Sequence, residues 1–151
     1  MITNKISIDY FLMALEEMWG YILPKSYRNF LLAGSKIGDK KSFSFKDKSD
    51  GSCLSDFLRI EKDFNNNILL KQKYAGVRFP NNFLPIARDV YGNFILLSVK
   101  NADRGKIYFW DHEMEADDGE IPDYSNLTLI ADSFDEFMEG LHSEDEVFDD
   151  V

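Results

Sequence analysis

Three short β-prone runs follow one another after Pro80, and they restrict the possible folds of this chain more than any other feature. They span residues 83–87, 94–99 and 106–110, and turn-forming residues rich in Gly, Asn and Asp separate them. Each connection is too short for the crossover that joins parallel strands, which takes about a dozen residues or more. We therefore predict an antiparallel meander, to which a fourth run at residues 127–131 adds a strand.

The N-terminal part of the chain has helical spacing instead. Apolar residues recur at helical intervals from Ser7 to Trp19, with Ser7 placed as the N-cap and Gly20 as the stop. A second helix is predicted to open at Pro24, because the missing N–H of a proline is not needed in the first turn, and to stop at Gly34. Two helices are thus expected before the sheet.

The segment between these helices and the meander has a mixed pattern. Residues 42–46 alternate phenylalanine with polar side chains, which predicts a short edge strand, and residues 47–51 predict a turn. From residue 54 to about residue 74 the apolar spacing is helical, but three asparagines at 65–67 interrupt it. We predict one broken helix or two short helices there.

The C-terminal part of the domain ends in a further helix. Ser133 with Glu136 three residues later is typical of a capping box, and the following apolar face is Phe134, Phe137, Met138 and Leu141. The fold class predicted from these elements is α+β, as one domain with an antiparallel β-meander sheet and flanking N-terminal and C-terminal helices. We assign residues 1–142 to this domain and residues 143–151 to an acidic tail that is expected to fray.

The amino-acid composition limits the classes of protein to which the chain can belong. The 151 residues include 44% hydrophobic and 15% aromatic side chains, which suits one folded core and not a disordered chain. No apolar run approaches the ~20 residues that cross a bilayer, and the N-terminus lacks the pattern of a signal peptide. Cys53 is the single cysteine, so an internal disulfide is impossible. We expect a cytoplasmic protein that does not bind membranes.

Charge is distributed unevenly along the chain. The formal net charge is -10, and residues 111–151 contain sixteen acidic side chains and no Lys or Arg. Residues 1–110 contain seventeen basic and eleven acidic side chains. An acidic surface repels nucleic acid and attracts a basic partner, although the same composition would also serve solubility alone.

Three stretches of sequence resemble a known family. They are Leu-Pro-Lys-Ser-Tyr-Arg-Asn-Phe-Leu-Leu at 23–32, Leu-Pro-Ile-Ala-Arg-Asp-Val-Tyr-Gly-Asn-Phe at 84–94, and Ile-Tyr-Phe-Trp-Asp-His-Glu at 107–113. In order and spacing they resemble the SUKH superfamily, which includes cell-wall-assembly regulators of the Smi/Knr type, and the resemblance covers about residues 7–142. It implies helices around an antiparallel sheet and no known catalytic machinery. It also implies, in bacteria, immunity proteins that block toxins, often nucleases, and in fungi regulatory scaffolds.

Candidate binding residues lie on the third run of the meander and after it. Alternation places Ile107 and Phe109 on one face and Tyr108 and Trp110 on the other. One face is predicted to be core, and the other would display aromatics, unless Trp110 packs under a helix. The acidic segment, residues 111–120, follows directly. The predicted partner-binding residues are Tyr91, Trp110, Asp111, Glu113, Glu115, Asp117, Asp118 and Glu120.

Patterns for other chemistry are weak. His112 and its neighbouring carboxylates could bind a divalent metal, but a calcium loop would need Gly where Ala116 stands. Cys53 has no nearby His, and neither Gly-x-Ser-x-Gly nor a nucleotide-binding glycine motif occurs. Glu16 and Glu17 are adjacent on a helix and are interpreted as solvated surface. We predict no catalytic residues, no metal and no cofactor.

The leading hypothesis is a non-enzymatic immunity protein whose acidic surface binds and neutralises a basic toxin domain, with a nuclease as the candidate class of toxin. A regulatory scaffold of the cell-wall-regulator type is the alternative. A metal-dependent enzyme that uses the His112 cluster is the third hypothesis.

Overall fold

The computed structural model describes residues 5–46, 49–60, 67–68, 78–114, 117 and 119–143, with side chains from residue 8 onward. Within this part of the chain there are three α-helices and six β-strands. The helices are α1 (Lys5–Trp19), α2 (Lys25–Leu32) and α3 (Phe134–Glu139). The strands are β1 (Ser42–Ser44), β2 (Gly51–Phe57), β3 (Phe83–Asp89), β4 (Phe94–Ser98), β5 (Ile107–Trp110) and β6 (Leu127–Ala131).

The strands form one sheet in which each strand pairs antiparallel with the next along the chain. The predicted meander is confirmed as β3, β4 and β5, with β6 added at its end. The edge strand predicted at residues 42–46 is also confirmed, as β1. With helices at both ends of the chain, the predicted α+β single-domain class is correct.

The helix predicted from residue 54 is wrong where the structure describes it, because Gly51–Phe57 is strand β2. The register between β2 and β3 shifts between Leu54 and Asp56, as in a β-bulge. One extra residue there moves the next buried side chain to Phe57, so two core residues of a strand stand three apart. A spacing of three residues between core side chains is also typical of an α-helix, which is why the sequence predicts a helix there. The rest of the predicted helical segment, apart from residues 58–60 and 67–68, lies outside the described residues.

The two N-terminal helices pack together through a buried ion pair. Helix α1 begins at Lys5, so Ser7 lies inside the helix and is not its cap. Glu16 is 7% exposed; its carboxylate accepts hydrogen bonds from the Leu23 backbone N–H at 2.8 Å and from Arg28 Nε at 3.1 Å. The interpretation of Glu16 as solvated surface is therefore wrong. Arg28 also pairs with Asp9, so one guanidinium connects α2 to two positions of α1.

The helices cover one face of the sheet and form the main core with it. Side chains from α2 and α3 meet there, and Tyr27 contacts Phe134 edge to face, with ring centroids 5.1 Å apart. Helix α3 starts as predicted, because the Ser133 side chain accepts a hydrogen bond from the Glu136 backbone N–H at 3.0 Å. From β5, Ile107 and Phe109 belong to this core.

The two edges of the sheet approach each other. The backbone N–H of Lys46, just after β1, donates to the Leu129 carbonyl of β6 at 2.9 Å. Ser42 in β1 exchanges two backbone hydrogen bonds with His142, at 3.0 and 2.9 Å. Edge strands with free N–H and C=O groups invite aggregation, and these bonds cover part of both edges.

Candidate protein-binding surface

The acidic segment leaves the sheet at the end of β5. A single 3₁₀ turn spans His112–Met114, and Asp111 caps it by accepting a hydrogen bond from the Glu113 backbone N–H at 3.0 Å. The Asp111 carbonyl accepts a second hydrogen bond from Asn126 Nδ2 at 3.0 Å. Because Asn126 directly precedes β6, the first residue of the acidic segment is tied to the strand that follows it.

The hairpin between β3 and β4 lies beside this turn and is organised by Asp89. Asp89 is 2% exposed, and its Oδ1 accepts the backbone N–H groups of Tyr91 and Asn93 at 2.9 and 2.7 Å. Its Oδ2 accepts Asn93 Nδ2 at 2.9 Å and Ser52 Oγ at 2.8 Å. Four donors compensate the cost of burying the carboxylate. The hairpin tip is therefore held in one shape and fixed to β2.

The hairpin tip also contacts the acidic segment directly. Asn93 Oδ1 accepts the His112 backbone N–H at 3.0 Å, and His112 Nε2 lies 3.0 Å from the Tyr91 carbonyl oxygen. Since a carbonyl only accepts, Nε2 is the protonated ring nitrogen. Gly92 has a φ of +89°, which favours glycine, whereas a Cβ there would lie at an ordinary contact distance of 3.5 Å from His112 Nε2; the turn, and not the contact, therefore calls for glycine.

A second network supports the other end of the loop that contains the acidic segment. Asp103 accepts hydrogen bonds from Tyr124 Oη at 2.8 Å, Tyr108 Oη at 3.0 Å and Ser98 Oγ at 2.8 Å. Asn82 Nδ2 lies 2.8 Å from Tyr124 Oη and donates to it. Burial alone would raise the pKa of Asp103, but the three hydroxyl donors outweigh it and hold that pKa below its ordinary value. Burial, and then the hydrogen bond to Asp103, raise the pKa of Tyr124.

Most of the predicted contact residues that the structure describes are exposed. Tyr91 is 73% exposed at the hairpin tip, next to His112, and Asp111 is partly exposed. The exposed carboxylates are Glu113, Asp117 and Glu120. Glu115 and Asp118 lie outside the described residues. The structure thus brings Tyr91 together with the start of the acidic segment, 20 positions further along the chain.

Trp110 is placed differently from the other candidates, because it is 1% exposed. The alternation predicted for β5 is correct, and Trp110 faces away from the main core. On that side it belongs to an outer aromatic cluster with Phe79, Phe83 and Leu96, in which its ring centroid lies 5.9 Å from that of Phe79. It packs on these side chains and not under one of the described helices. A side chain this buried cannot contact a partner unless the cluster opens.

Sequence reasoning missed the residues that shape this surface. Asp89 and Asn93 lie in a segment that the sequence marks only as a turn rich in Gly, Asn and Asp, although the structure uses the side chains of both. Asp103 and Tyr124 carried no signal at all, because they are 21 positions apart and meet only through the sheet. The one available clue was an Asp four residues before an Asn around a Gly turn, a spacing that suits local side-chain capping.

The described residues contain no group of three or more His, Cys, Asp and Glu side chains that could hold a metal ion. That statement does not cover Glu115 and Asp118 of the acidic segment. None of the helices in the described ranges combines the length and apolar character that crossing a membrane requires.

Comparison with known proteins agrees with this architecture. The model of the SMI1/KNR4 family (SUKH-1) matches residues 11–140. The SPbeta prophage-derived uncharacterized protein YokK of Bacillus subtilis (strain 168) is 32% identical over 88% of this chain and 73% of its own length. No solved structure gives a significant match. With the family model covering α1 from residue 11 onward, all of α2, the whole sheet and the closing helix, the chain belongs to the SMI1/KNR4 family (SUKH-1).

Proposed function

We propose that this chain is a non-enzymatic immunity protein that binds and neutralises a bacterial toxin domain with a basic surface. The observation that carries the proposal is the start of the acidic segment beside Tyr91, where Asn93 Oδ1 holds the His112 backbone N–H and Asp89 holds Asn93. A preorganised binding surface loses less conformational entropy on association than a mobile one. The carboxylates would attract the partner, and the Tyr91 ring would supply apolar contact area.

The sign of the charge favours a partner that itself binds anions. Nucleic-acid-binding proteins carry Lys and Arg to neutralise phosphates, so the active site of a nuclease toxin is a basic surface. The acidic segment, with six carboxylates and no Lys or Arg in residues 111–120, complements such a surface. We infer that the bound immunity protein would occupy the site that the toxin uses for its substrate.

Family membership supports a role in protein binding, since the resemblance implies immunity proteins among the bacterial relatives and no catalytic machinery. We place the encounter in the cytoplasm, where an unpaired Cys53 is stable and where a nuclease toxin would find its substrate.

The test is a rescue assay in cells. The toxic C-terminal domain encoded by the adjacent open reading frame is expressed with and without this chain, and surviving colonies are counted. The variant that matters carries Glu113→Lys, Asp117→Lys and Glu120→Lys together, because these side chains are exposed. We expect the unmodified chain to restore growth and this triple variant to fail.

A matched control separates the position of the charges from their number. Glu17, Asp39 and Glu139 are also exposed and lie outside the acidic segment, and reversing them changes the net charge equally. We expect this control variant to rescue growth. If the unmodified chain is folded but does not rescue, and the neighbouring domain is shown to be toxic, the immunity role against that toxin is excluded, and the regulatory scaffold becomes the better explanation.

A further inference from the structure

Tyr91 also borders a cleft that none of the other predicted partner-binding residues lines. Its volume is about 300 Å³, and the hairpin of β1 and β2 forms its floor. The hairpin tip is joined to this floor, because the Val90 backbone N–H donates to the Cys53 carbonyl at 3.1 Å. We call it the serine cleft, after Ser42, Ser44, Ser49 and Ser52 in its lining.

The pairing of β1 with β2 explains why the cleft exists. Phe43 is 3% exposed and faces the main core, so its neighbours Ser42 and Ser44 face away from the core. Their partners across the pair are Cys53 and Gly51. Small side chains stand at three of these four positions and no side chain at the fourth, so the outer face of the hairpin is hollow.

The polar groups of the cleft include one that lacks a partner. Ser42 is 9% exposed and lines the cleft, and in the described part of the chain its hydroxyl makes no hydrogen bond. Solvent reaches this oxygen through the cleft, so the hydroxyl is available to a bound group. Asp50, an exposed residue of the lining, accepts the Gly51 backbone N–H with Oδ1 at 2.8 Å, and its Oδ2 makes no hydrogen bond with the described residues.

The charge of the lining selects the kind of group that fits. Among the described residues that line the cleft there are one carboxylate, Asp50, one imidazole, His142, and no Lys or Arg, so the lining offers an anion no guanidinium or ammonium group. Hydroxyl and carboxylate oxygens accept hydrogen bonds from a donor-rich group such as a guanidinium or an ammonium. Tyr91 on the rim adds an aromatic face, which attracts cations.

From this geometry we infer that the serine cleft receives a cationic side chain, arginine or lysine, that projects from the bound protein partner. The inference rests on the proposed function, because the same basic partner would contact both the acidic segment and the serine cleft, and Tyr91 belongs to both contacts. Tyr91 lines the serine cleft, and its carbonyl oxygen contacts His112 in the acidic segment. The acidic segment then attracts the partner over a distance, and the serine cleft binds one cationic side chain of the partner.

The first test needs no toxin, because Cys53 lies in the cleft and is the single cysteine of the chain. The rate at which iodoacetamide alkylates Cys53 is measured in the full-length protein with increasing N-acetyl-arginine amide. N-acetyl-citrulline amide, which has nearly the same shape but no charge, is the control probe. We expect the arginine probe to slow alkylation saturably, to about half the rate when half the clefts are occupied, and the citrulline probe to have no effect.

Two substitutions test whether the arginine probe protects Cys53 by binding in the cleft. Asp50→Asn removes the charge but keeps an oxygen for the Gly51 backbone N–H, and it should abolish the protection. Asp39→Asn removes an exposed carboxylate outside the cleft and should preserve it. Equal protection by citrulline, or full protection in Asp50→Asn, would overturn the inference.

The result is independent of the rescue assay. Arginine-specific protection without rescue would leave the cation site standing and remove the toxin role. Rescue without protection would leave the immunity role standing and remove the cleft from it. If both hold, Asp50→Asn should weaken binding of the toxin domain by about tenfold or more, the usual cost of removing one partner of an interfacial charge pair; unchanged affinity would overturn the cleft's part in the complex.

Discussion

Single residues determine whether the proposed surface has a fixed shape. Asp89 uses both carboxylate oxygens to hold Ser52 and the two hairpin residues Tyr91 and Asn93. Asn93 in turn fixes the start of the acidic segment, because its Oδ1 accepts the His112 backbone N–H. In the proposed complex the exposed residues would contact the partner, and the buried ones set the positions of those residues. Trp110 has a third role, because its burial stabilises the sheet from the outer side.

Gly51 is the residue where a single methyl group should be most damaging. A Cβ at this position would lie 2.0 Å from the Phe43 carbonyl oxygen, so the two strands would have to separate. We expect Gly51→Ala to lower the free energy of unfolding by about 1 to 3 kcal/mol, the usual range for overpacking. Urea denaturation followed by circular dichroism measures this change.

Gly38→Ala is the matched control for Gly51→Ala. A Cβ at Gly38 would have no neighbouring atom within 4 Å. We expect its free energy of unfolding to change by less than about 0.5 kcal/mol. If both substitutions have the same effect, the close approach of β1 and β2 does not determine stability at Gly51.

At the scale of elements, the sequence predicts those parts of the fold whose signals are local. Strands β3, β4 and β5 are joined by short turns, and the Ser133 cap of α3 is contained in four residues. Strand β2 could not be predicted in this way, because the bulge between Leu54 and Asp56 depends on pairing with β3. Likewise, the burial of Trp110 depends on Phe79, 31 positions earlier in the chain. For the candidate site, exposed residues were predictable from charge, whereas their supports were not.

The network around Asp103 connects the β4–β5 hairpin to Tyr124 in the loop before β6, and it should make stability depend on pH. The pKa of the Asp103 carboxyl is lower in the folded chain than the ordinary Asp value of about 3.9. A carboxyl whose pKa is lowered in the folded state stabilises the fold at pH values above its ordinary pKa. This contribution is lost as the pH falls below that ordinary pKa. Asp103→Asn should therefore cost about 1 kcal/mol at pH 7 and progressively less below about pH 4.

Urea denaturation of both proteins at pH 7 and pH 3 measures this dependence. Asp39→Asn, an exposed carboxylate outside the network, is the control and should leave the transition midpoint unchanged at both pH values. A constant difference between Asp103→Asn and the unmodified protein across this range would show that the charge of Asp103 contributes nothing to folding.

At the scale of the whole molecule, the uneven charge should govern the rate of association more than the strength of the final complex. The net charge of -10 acts at long range on any basic partner, but the acidic segment concentrates part of it beside Tyr91. A charge that orients the partner has a larger effect on the association rate than the same charge elsewhere. The rates of two variants with equal net charge therefore distinguish local steering from general attraction.

Stopped-flow mixing with the neighbouring toxin domain measures these rates for the two triple variants of the rescue assay. Reversal at Glu113, Asp117 and Glu120 should slow association about tenfold or more at low salt. At 1 M salt the screening length falls to about 3 Å, and the difference from the unmodified chain should nearly disappear. The reversal of Glu17, Asp39 and Glu139 should slow association much less. Equal slowing by both variants would mean that total charge alone attracts the partner, and no slowing by either would exclude electrostatic steering altogether.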